Sequence, residues 1–292
     1  MSKYHVAYPT REASHLRIFN YAASDGLKLD GIKFEPIHES YRVPVLFCHG
    51  LQDHAMSDVS SALGKCMAEH GYSTFSINKR NSHIHYSQSI FDETSYDIKG
   101  ALQYLRDEGF KSVILAGHSL GCTELLYFLA NNEHSNVLGS ILLGPSLDIK
   151  GRNTLRFFKT YLDPLAAYNA FLDKARKLVK EGRGDELMDL QRHTHNGKVH
   201  IATSAKTFLS YRSPESNCSA LKWIGKIDIP TLIIAHRSDS SIPREEIEEL
   251  RDASKSNKTE LIIINSADHQ FHGHMEELTR KLCDWFTVNE FN

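Results

Sequence analysis

The chain has 292 residues, of which 41% are hydrophobic, and its 34 basic and 36 acidic side chains leave a formal net charge of -2. This length and apolar fraction are enough for one large domain with a buried core. The near balance of charge offers no basic surface to nucleic acid or to an anionic membrane. Neither a nucleic-acid partner nor stable membrane anchoring is therefore expected.

The five cysteines and the amino terminus bear on the compartment of the protein. The cysteines are widely spaced, and none forms a C-x-x-C pair of the kind used in zinc or redox sites. Residues 1–6 lack the apolar core of a signal peptide, and no apolar run reaches ~18 residues. We expect reduced thiols and a cytoplasmic location.

The first part of the chain predicts strands and helices in alternation. Early strands joined by a short turn form a hairpin, and a short apolar strand ends at His49-Gly50. A helix follows because apolar residues recur at helical spacing from Val59 to Met67. The predicted elements are strands over 15–22, 28–35 and 73–77, a strand that runs through Phe47, and helices over 58–70 and 96–107.

A basic pair, Lys79 and Arg80, follows the strand over 73–77, at the edge of the sheet where a substrate would lie. A guanidinium binds carboxylate or phosphate groups bidentately, so the pair is a candidate for binding an anionic part of the substrate. An exposed basic loop without such a role is the alternative. His49 and His118 are further candidates for contact with substrate.

The most informative motif is Gly117-His118-Ser119-Leu120-Gly121, which lies between an apolar strand pattern and a helix-like segment. This is the strand, turn and helix context of a G-x-S-x-G nucleophile elbow, in which the serine stands at the tip of a strained turn. The flanking glycines allow strand and helix to pass closely. Ser119 is therefore the predicted nucleophile.

The alternation of strand and helix stops after a strand over 137–143. Residues 146–226 are predicted to be helices and loops, and we interpret them as a helical cap inserted into a core domain that comprises 1–145 and 227–292. Within the cap, Asp163-Pro164 has the signature of a helix start.

The partners of Ser119 should follow it in the order acid, then base, on loops after later strands. Asp239 follows the apolar run over 229–235, and His269 follows the run over 261–264. Asp268 is the rival acid and His272 is the next rival base, with His274 also nearby. Asp239 is favoured because Asp268 adjoins His269, and neighbouring side chains in an extended loop usually diverge. His269 is favoured because it is the first histidine after its strand.

Two backbone N–H groups should complete the site by binding the oxyanion of a tetrahedral intermediate. One belongs to Leu120, the residue after the nucleophile. The other is assigned to Leu51, because His49-Gly50 ends an early strand and a glycine can turn its peptide toward the site. Histidine pairs such as 83/85, 193/195 and 272/274 lack a third ligand at suitable spacing, so no metal is expected.

On these motifs the chain resembles the α/β-hydrolase superfamily along nearly its full length. The resemblance implies a mostly parallel eight-stranded sheet flanked by helices. It is most similar to a branch of serine esterases that includes fungal siderophore-ester hydrolases and related uncharacterised bacterial hydrolases. The closer match is carried by Gly117 to Cys122, the segment 175–187, and Ala267 to Gly273.

One loop departs from the common superfamily pattern. Many members have Asp-x-Arg-Gly-x-Gly-x-Ser after the fourth strand, whereas residues 76–83 of this chain read Ser-Ile-Asn-Lys-Arg-Asn-Ser-His, with Asn in place of Asp and no glycine. In the family this loop borders the site.

The predicted function is hydrolysis of an ester-like bond of a small molecule, whether carboxylic ester, thioester or lactone. Ser119, His269 and Asp239 would act through an acyl-enzyme, without a cofactor. That the bond is an ester is implied by the resemblance, since the same triad also serves other acyl groups. Acyl transfer by the same triad, and a small-molecule receptor that retains it, are the alternatives.

Overall fold

The computed structural model describes residues 14–37, 41, 43–159, 161–194, 197–236, 242–265 and 268–291. Its centre is an eight-stranded sheet in the order β1-β2-β4-β3-β5-β6-β9-β10. The first two strands pair antiparallel with each other, β2 pairs antiparallel with β4, and the remaining neighbours are parallel. The strands are β1 (Ser14–Ala22), β2 (Lys28–Pro36), β3 (Val45–Cys48), β4 (Thr74–Ile77), β5 (Val113–His118), β6 (Val137–Leu143), β9 (Thr231–His236) and β10 (Thr259–Ile264).

Buried strands at the centre of the sheet explain why its core divides into two layers. All side chains of β3, β4, β5 and β9 are buried, as expected for parallel strands with both faces covered. One apolar cluster includes residues of α2, α3 and α8, and the other includes residues of α1 and α9. The helices are α1 (Asp58–Glu69), α2 (Thr94–Asp107), α3 (Leu120–Asn131), α8 (Arg244–Ala253) and α9 (Met275–Val288).

The segment between β6 and β9 has its own apolar cluster, to which α5, α6 and a two-stranded sheet contribute. The helix start predicted at Asp163 is present, with its carboxylate accepting a hydrogen bond from the N–H of Ala166 at 3.0 Å. The elements are α4 (Thr154–Phe157), α5 (Pro164–Lys180), β7 (Leu187–Thr194), β8 (Gly197–Ser204), α6 (Ala205–Arg212) and α7 (Ala220–Ile224).

The antiparallel hairpin of β7 and β8 was not predicted, since the segment was expected to contain only helices and loops. Its sequence does alternate, because Met188 and Leu190 are buried whereas Leu187 and Asp189 are exposed. This period of two, typical of a half-buried strand, was the available signal.

Two further expectations concern the cysteines and the membrane. All five cysteines are free thiols, and Cys48 and Cys122 are completely buried beside the site. Burial raises the pKa of Cys48 to about 12. Among the described residues, no helix combines the length and apolar character needed to cross a bilayer.

Candidate active site

Ser119 occupies the sharp turn between β5 and α3. Its backbone angles, φ 54° and ψ -117°, lie outside the regions that residues with a side chain normally adopt. The turn is held by a hydrogen bond of 2.9 Å from the N–H of Ser119 to the carbonyl of Leu143 on β6. A strained residue held by its surroundings at a strand end is a candidate for function.

The close approach of α3 to the loop after β3 depends on Gly121. A side chain there would place its Cβ 2.4 Å from the carbonyl oxygen of Cys48 and 2.7 Å from that of His49. Both atoms belong to the backbone and cannot move aside easily. Glycine is thus required where the elbow helix passes the end of β3.

Gly121→Ala is expected to lower the free energy of unfolding by about 1–3 kcal/mol, the usual cost of inserting a methyl group into a packed site. Urea unfolding followed by circular dichroism measures it. Gly184→Ala is the matched control, because its nearest neighbour, Val179 Cγ2, would lie 3.4 Å away. Equal losses in both variants would contradict the importance of this close approach.

His269 lies beside the elbow. A Cβ at Gly144, at the end of β6, would lie 3.4 Å from both Nδ1 and Cε1 of the His269 ring. His118, the residue before the nucleophile, donates a hydrogen bond of 2.8 Å from Nε2 to the carbonyl oxygen of His269. The rings of these two histidines are 4.8 Å apart between centroids. The structure therefore ties the loop of the predicted base directly to the elbow.

His118 was itself predicted to contact substrate. Its side chain is buried, and its Nε2 is committed to the His269 carbonyl. Because a carbonyl only accepts, Nε2 of this ring carries a proton. This geometry favours a role in positioning the His269 loop.

The rival acid, Asp268, is committed to its own loop. One carboxylate oxygen accepts hydrogen bonds of 3.0 Å from the N–H groups of Gln270 and His272, and the other lies 2.7 Å from Nδ1 of His272. Burial acts to raise the pKa of Asp268, but the bonds from the His272 ring and backbone lower it on balance. The hydrogen bond to Asp268 raises the pKa of His272. Asp268 is thus paired with the rival base.

Asp239, the predicted acid, lies in the segment 237–241, outside the described residues. The elements around that segment are those expected, since β9 ends at His236 and α8 begins at Arg244. Because β9 and β10 are parallel neighbours, the loops after them leave the same edge of the sheet. The role of Asp239 stays a prediction.

The loop after β3, predicted to supply an oxyanion donor, lies against the nucleophile. A side chain at Gly50 would place its Cβ 3.2 Å from the Cβ of Ser119. The Gly50 carbonyl accepts hydrogen bonds from His49 Nδ1 at 2.8 Å and from the N–H of Asp53 at 3.4 Å. The backbone of this loop is thus in position beside Ser119, as the assignment of Leu51 as a donor requires.

His49, another predicted substrate contact, has no exposed surface and is used inside the protein. Its Nδ1 donates to the Gly50 carbonyl, so Nε2 of the neutral ring accepts from the N–H of Lys79 at 3.4 Å. Ser82 Oγ lies 2.8 Å from the same Nε2, and its hydroxyl donates to the Lys79 carbonyl. Burial, with a smaller contribution from the Lys79 charge, lowers the pKa of His49 well below its usual value. The ring is neutral at neutral pH.

This lowered pKa predicts an acid-sensitive fold. Below about pH 6.5 an unfolded chain binds a proton at His49 while the folded chain does not, so the unfolded state gains stability as the pH falls. The free energy of unfolding should drop by up to about 1.4 kcal/mol per pH unit from this group. Urea unfolding between neutral pH and mild acid measures it. His49→Asn, whose amide can replace the Nδ1 donor, should show a shallower slope, and an unchanged slope would contradict the assignment.

Lys79 and Arg80, the predicted anion-binding pair, are both occupied by protein groups. Lys79 Nζ forms an ion pair with Glu124 Oε2 and donates to the His49 carbonyl at 3.0 Å, and its side chain is fully buried. The Arg80 guanidinium binds three carboxylates, those of Asp97, Glu93 and Asp25. The geometry thus gives no support to a substrate role for either side chain.

Glu124 and His236 were not singled out from the sequence. Glu124 is a completely buried carboxylate on α3, a helix whose other buried residues are mostly apolar, and a lone acid there was the available signal. His236 ends β9, and its ring lies 3.9 Å from that of Phe271 and 6.4 Å from that of His269, between centroids. No motif marks His236.

The histidine pairs considered as metal ligands have other neighbours. His83 stacks on His54 with centroids 4.2 Å apart, His272 bonds Asp268, and His274 Nδ1 lies 3.5 Å from Glu277. The side chains of His193 and His195 lie outside the described residues. In the described part of the chain, three possible ligand atoms meet within 4.8 Å at one place, formed by Cys66, Glu69 and Glu276 on α1 and α9.

An open groove of about 390 Å³ borders the loop after β3 and the loop that carries His269. Leu51 and Gln270, the neighbour of His269, are among the residues that line it. Exposed methionine and aspartate side chains also face it. The remaining lining residues are Gln52, Asp53, His54, Met56, Ser57 and Asp58.

The sequence matches the family described as "Protein of unknown function (DUF1749)" over residues 14–288. Among solved structures, the α/β hydrolase GrgF from Penicillium sp. sh18 superposes with a TM-score of 0.73 at 17% identity, covering 94% of this chain and 99% of that one. Est1E from Butyrivibrio proteoclasticus gives 0.68 at 17% identity, covering 96% and 100%. The siderophore hydrolase EstB from Aspergillus fumigatus gives 0.68 at 18% identity, covering 89% and 94%. These similarities confirm the predicted α/β-hydrolase fold.

Proposed function

We propose a function for this chain, which belongs to the family described as a protein of unknown function, DUF1749, and has the α/β-hydrolase fold. It is a serine hydrolase that cleaves an ester-like bond of a small molecule. Structural neighbours named as hydrolases support this at a coarse level. The triad and the ester bond are the finer parts of the proposal.

The backbone strain at Ser119 is the observation that carries the proposal. A φ of 54° at a serine costs free energy of order 1–3 kcal/mol that a glycine would avoid. Two potential catalytic loops converge on this residue, that of Gly50 and that of His269. A turn with a purely structural role does not need a strained serine with both loops beside it, whereas a nucleophile elbow needs all of these features.

The chemistry follows from these positions. Ser119 Oγ attacks the acyl carbon while His269 accepts its proton, and the oxyanion is stabilised by the N–H groups of Leu120 and Leu51. His269 then protonates the leaving group as the tetrahedral intermediate collapses to an acyl-enzyme. Water, activated by the same histidine, releases the acid and restores Ser119. Asp239 orients the imidazole throughout and stabilises its protonated form.

The groove beside Leu51 and Gln270 supports a small substrate. Its volume, about 390 Å³, lies within the range of small-molecule sites. It is bordered by residues next to the proposed oxyanion donor and the proposed base. The groove is the proposed place for a group attached to the reacting carbonyl.

The test is turnover of p-nitrophenyl esters of rising acyl length by the purified wild-type protein. We expect hydrolysis that a fluorophosphonate abolishes and that the chelator EDTA leaves unchanged, because the proposed chemistry uses a serine and no metal. The chain-length profile would measure the size of the acyl site. Absence of turnover for every ester, or turnover insensitive to the fluorophosphonate, would contradict the proposal.

A further inference from the structure

A buried ion pair joins the nucleophile helix to the two loops beside it. Glu124 lies on α3, five residues after Ser119, and Lys79 lies in the loop after β4. Neither side chain has exposed surface. The second carboxylate oxygen of Glu124 accepts a hydrogen bond of 2.6 Å from Nδ2 of Asn81, so the pair is embedded in further polar contacts.

The third contact of this pair is the backbone of the loop after β3, which contains His49, Gly50 and Leu51 and is called the oxyanion loop below. Lys79 Nζ donates to the carbonyl of His49 at 3.0 Å, and the His49 ring in turn donates to the carbonyl of Gly50. Two consecutive carbonyls of the loop are therefore held in fixed directions. Since a trans peptide is planar, the N–H of Leu51 points opposite to the Gly50 carbonyl, and fixing one fixes the other.

The His49 ring is held from the same loop as Lys79. Ser82 Oγ lies 2.8 Å from His49 Nε2 and also 2.7 Å from the Lys79 carbonyl. The loop after β4 thus supports the oxyanion loop through the Ser82 side chain, which is itself held by the backbone carbonyl of Lys79. Glu124 connects this arrangement to α3, the helix whose first N–H, that of Leu120, is the other proposed donor.

Stability alone gives little reason for this arrangement. Burying two charges costs several kcal/mol for each ion, and neutral residues of similar size would fill the same space at no loss. Oxyanion donors, by contrast, must lie within a few tenths of an ångström of their productive positions. An ion pair with fixed hydrogen-bond directions meets that requirement.

We propose that Lys79 and Glu124 are positioning residues of the oxyanion hole. They hold the Leu51 and Leu120 N–H groups in the positions needed to bind the oxyanion. The inference rests on the proposed serine hydrolase function and assigns these two side chains to it. Lys79 takes no part in binding the substrate. Its ammonium acts through the His49 carbonyl and its charge is balanced by Glu124.

The test is the double variant Lys79→Met/Glu124→Gln, which removes both charges, keeps an acceptor for Asn81 and leaves the His49 carbonyl without the Lys79 bond. Replacing a buried ion pair by neutral residues usually leaves a protein folded. We expect kcat, normalised to sites titrated with a fluorophosphonate, to fall about 10- to 100-fold while KM changes less than about threefold. The inhibition constant of a trifluoromethyl ketone, which forms an oxyanion at the site, should rise by a similar factor.

The matched control is Ser140→Ala/Thr231→Val, which removes a buried hydrogen bond of 2.8 Å between β6 and β9. Any stability loss there should leave kcat per titrated site unchanged. If Lys79→Met/Glu124→Gln does not fold, Lys79→Leu/Glu124→Gln replaces it, since leucine also leaves the His49 carbonyl without a bond from position 79. A folded double variant with kcat within threefold of wild type overturns the positioning role. A wild type that neither hydrolyses esters nor reacts with the probe overturns the proposed function and this inference with it.

Discussion

Replacement of Ser119 by alanine is expected to lower kcat/KM for p-nitrophenyl esters at least about a thousandfold, because it removes the atom proposed to form the acyl-enzyme. KM, where turnover is still measurable, should change little. The strain at this position gives the variant a matched partner. Glycine adopts a positive φ at no steric cost, so Ser119→Gly should be equally inactive but more stable than Ser119→Ala.

The two variants should therefore be equally inactive but differ in stability. Ester hydrolysis at high enzyme concentration gives the first quantity, and thermal or urea unfolding gives the second. Residual activity above a tenth of wild type in either variant would exclude Ser119 as the nucleophile. A glycine variant no more stable than the alanine variant would show that the backbone at Ser119 is not strained.

Replacement of His269 by alanine is expected to have an effect of similar size, about a thousandfold or more in kcat, because it removes the proposed general base. His272→Ala is the matched control from the same loop. His272 is bonded to Asp268 and faces Asp58 at 3.6 Å, so its loss should change kcat less than about fivefold. A larger loss for His272→Ala than for His269→Ala would reverse the assignment.

Substitution by asparagine should likewise distinguish the two candidate acids by their effect on activity. Asp239→Asn should lose most of the activity, since a neutral amide neither orients the imidazole correctly nor stabilises its protonated form. Asp268→Asn should mainly loosen the loop that it caps through the N–H groups of Gln270 and His272. If Asp268→Asn proves to be the inactive variant, Asp239 is not the catalytic acid.

Much of the core fold could be predicted because its signals are local. An apolar run followed by Gly117 to Gly121 specifies strand, turn and helix within a few residues, and the structure confirms each of them. The short turn of the first hairpin and the helical spacing of α1 are equally local. The mostly parallel eight-stranded sheet then followed from the superfamily resemblance, which depends on the order of motifs along the chain.

The environment of Lys79 could not be predicted, because its partner lies 45 positions away in sequence. A lysine after a strand is typical of an exposed loop, and only the fold reveals that α3 brings Glu124 beneath it. The hairpin of β7 and β8 was missed for a different reason. The alternation of exposed and buried side chains is described over Leu187 to Leu190, a stretch too short to stand out beside the strong helical pattern of α5.

The central claim is that Ser119 forms a covalent intermediate, and mass spectrometry of the wild-type protein after reaction with a fluorophosphonate tests it most directly. We predict one adduct per chain, on the peptide that contains Ser119, formed at a rate that falls sharply in His269→Ala. The Ser119→Ala variant should gain no mass under the same conditions. A protein that hydrolyses esters yet carries its adduct on another residue, or carries none, would contradict the claim.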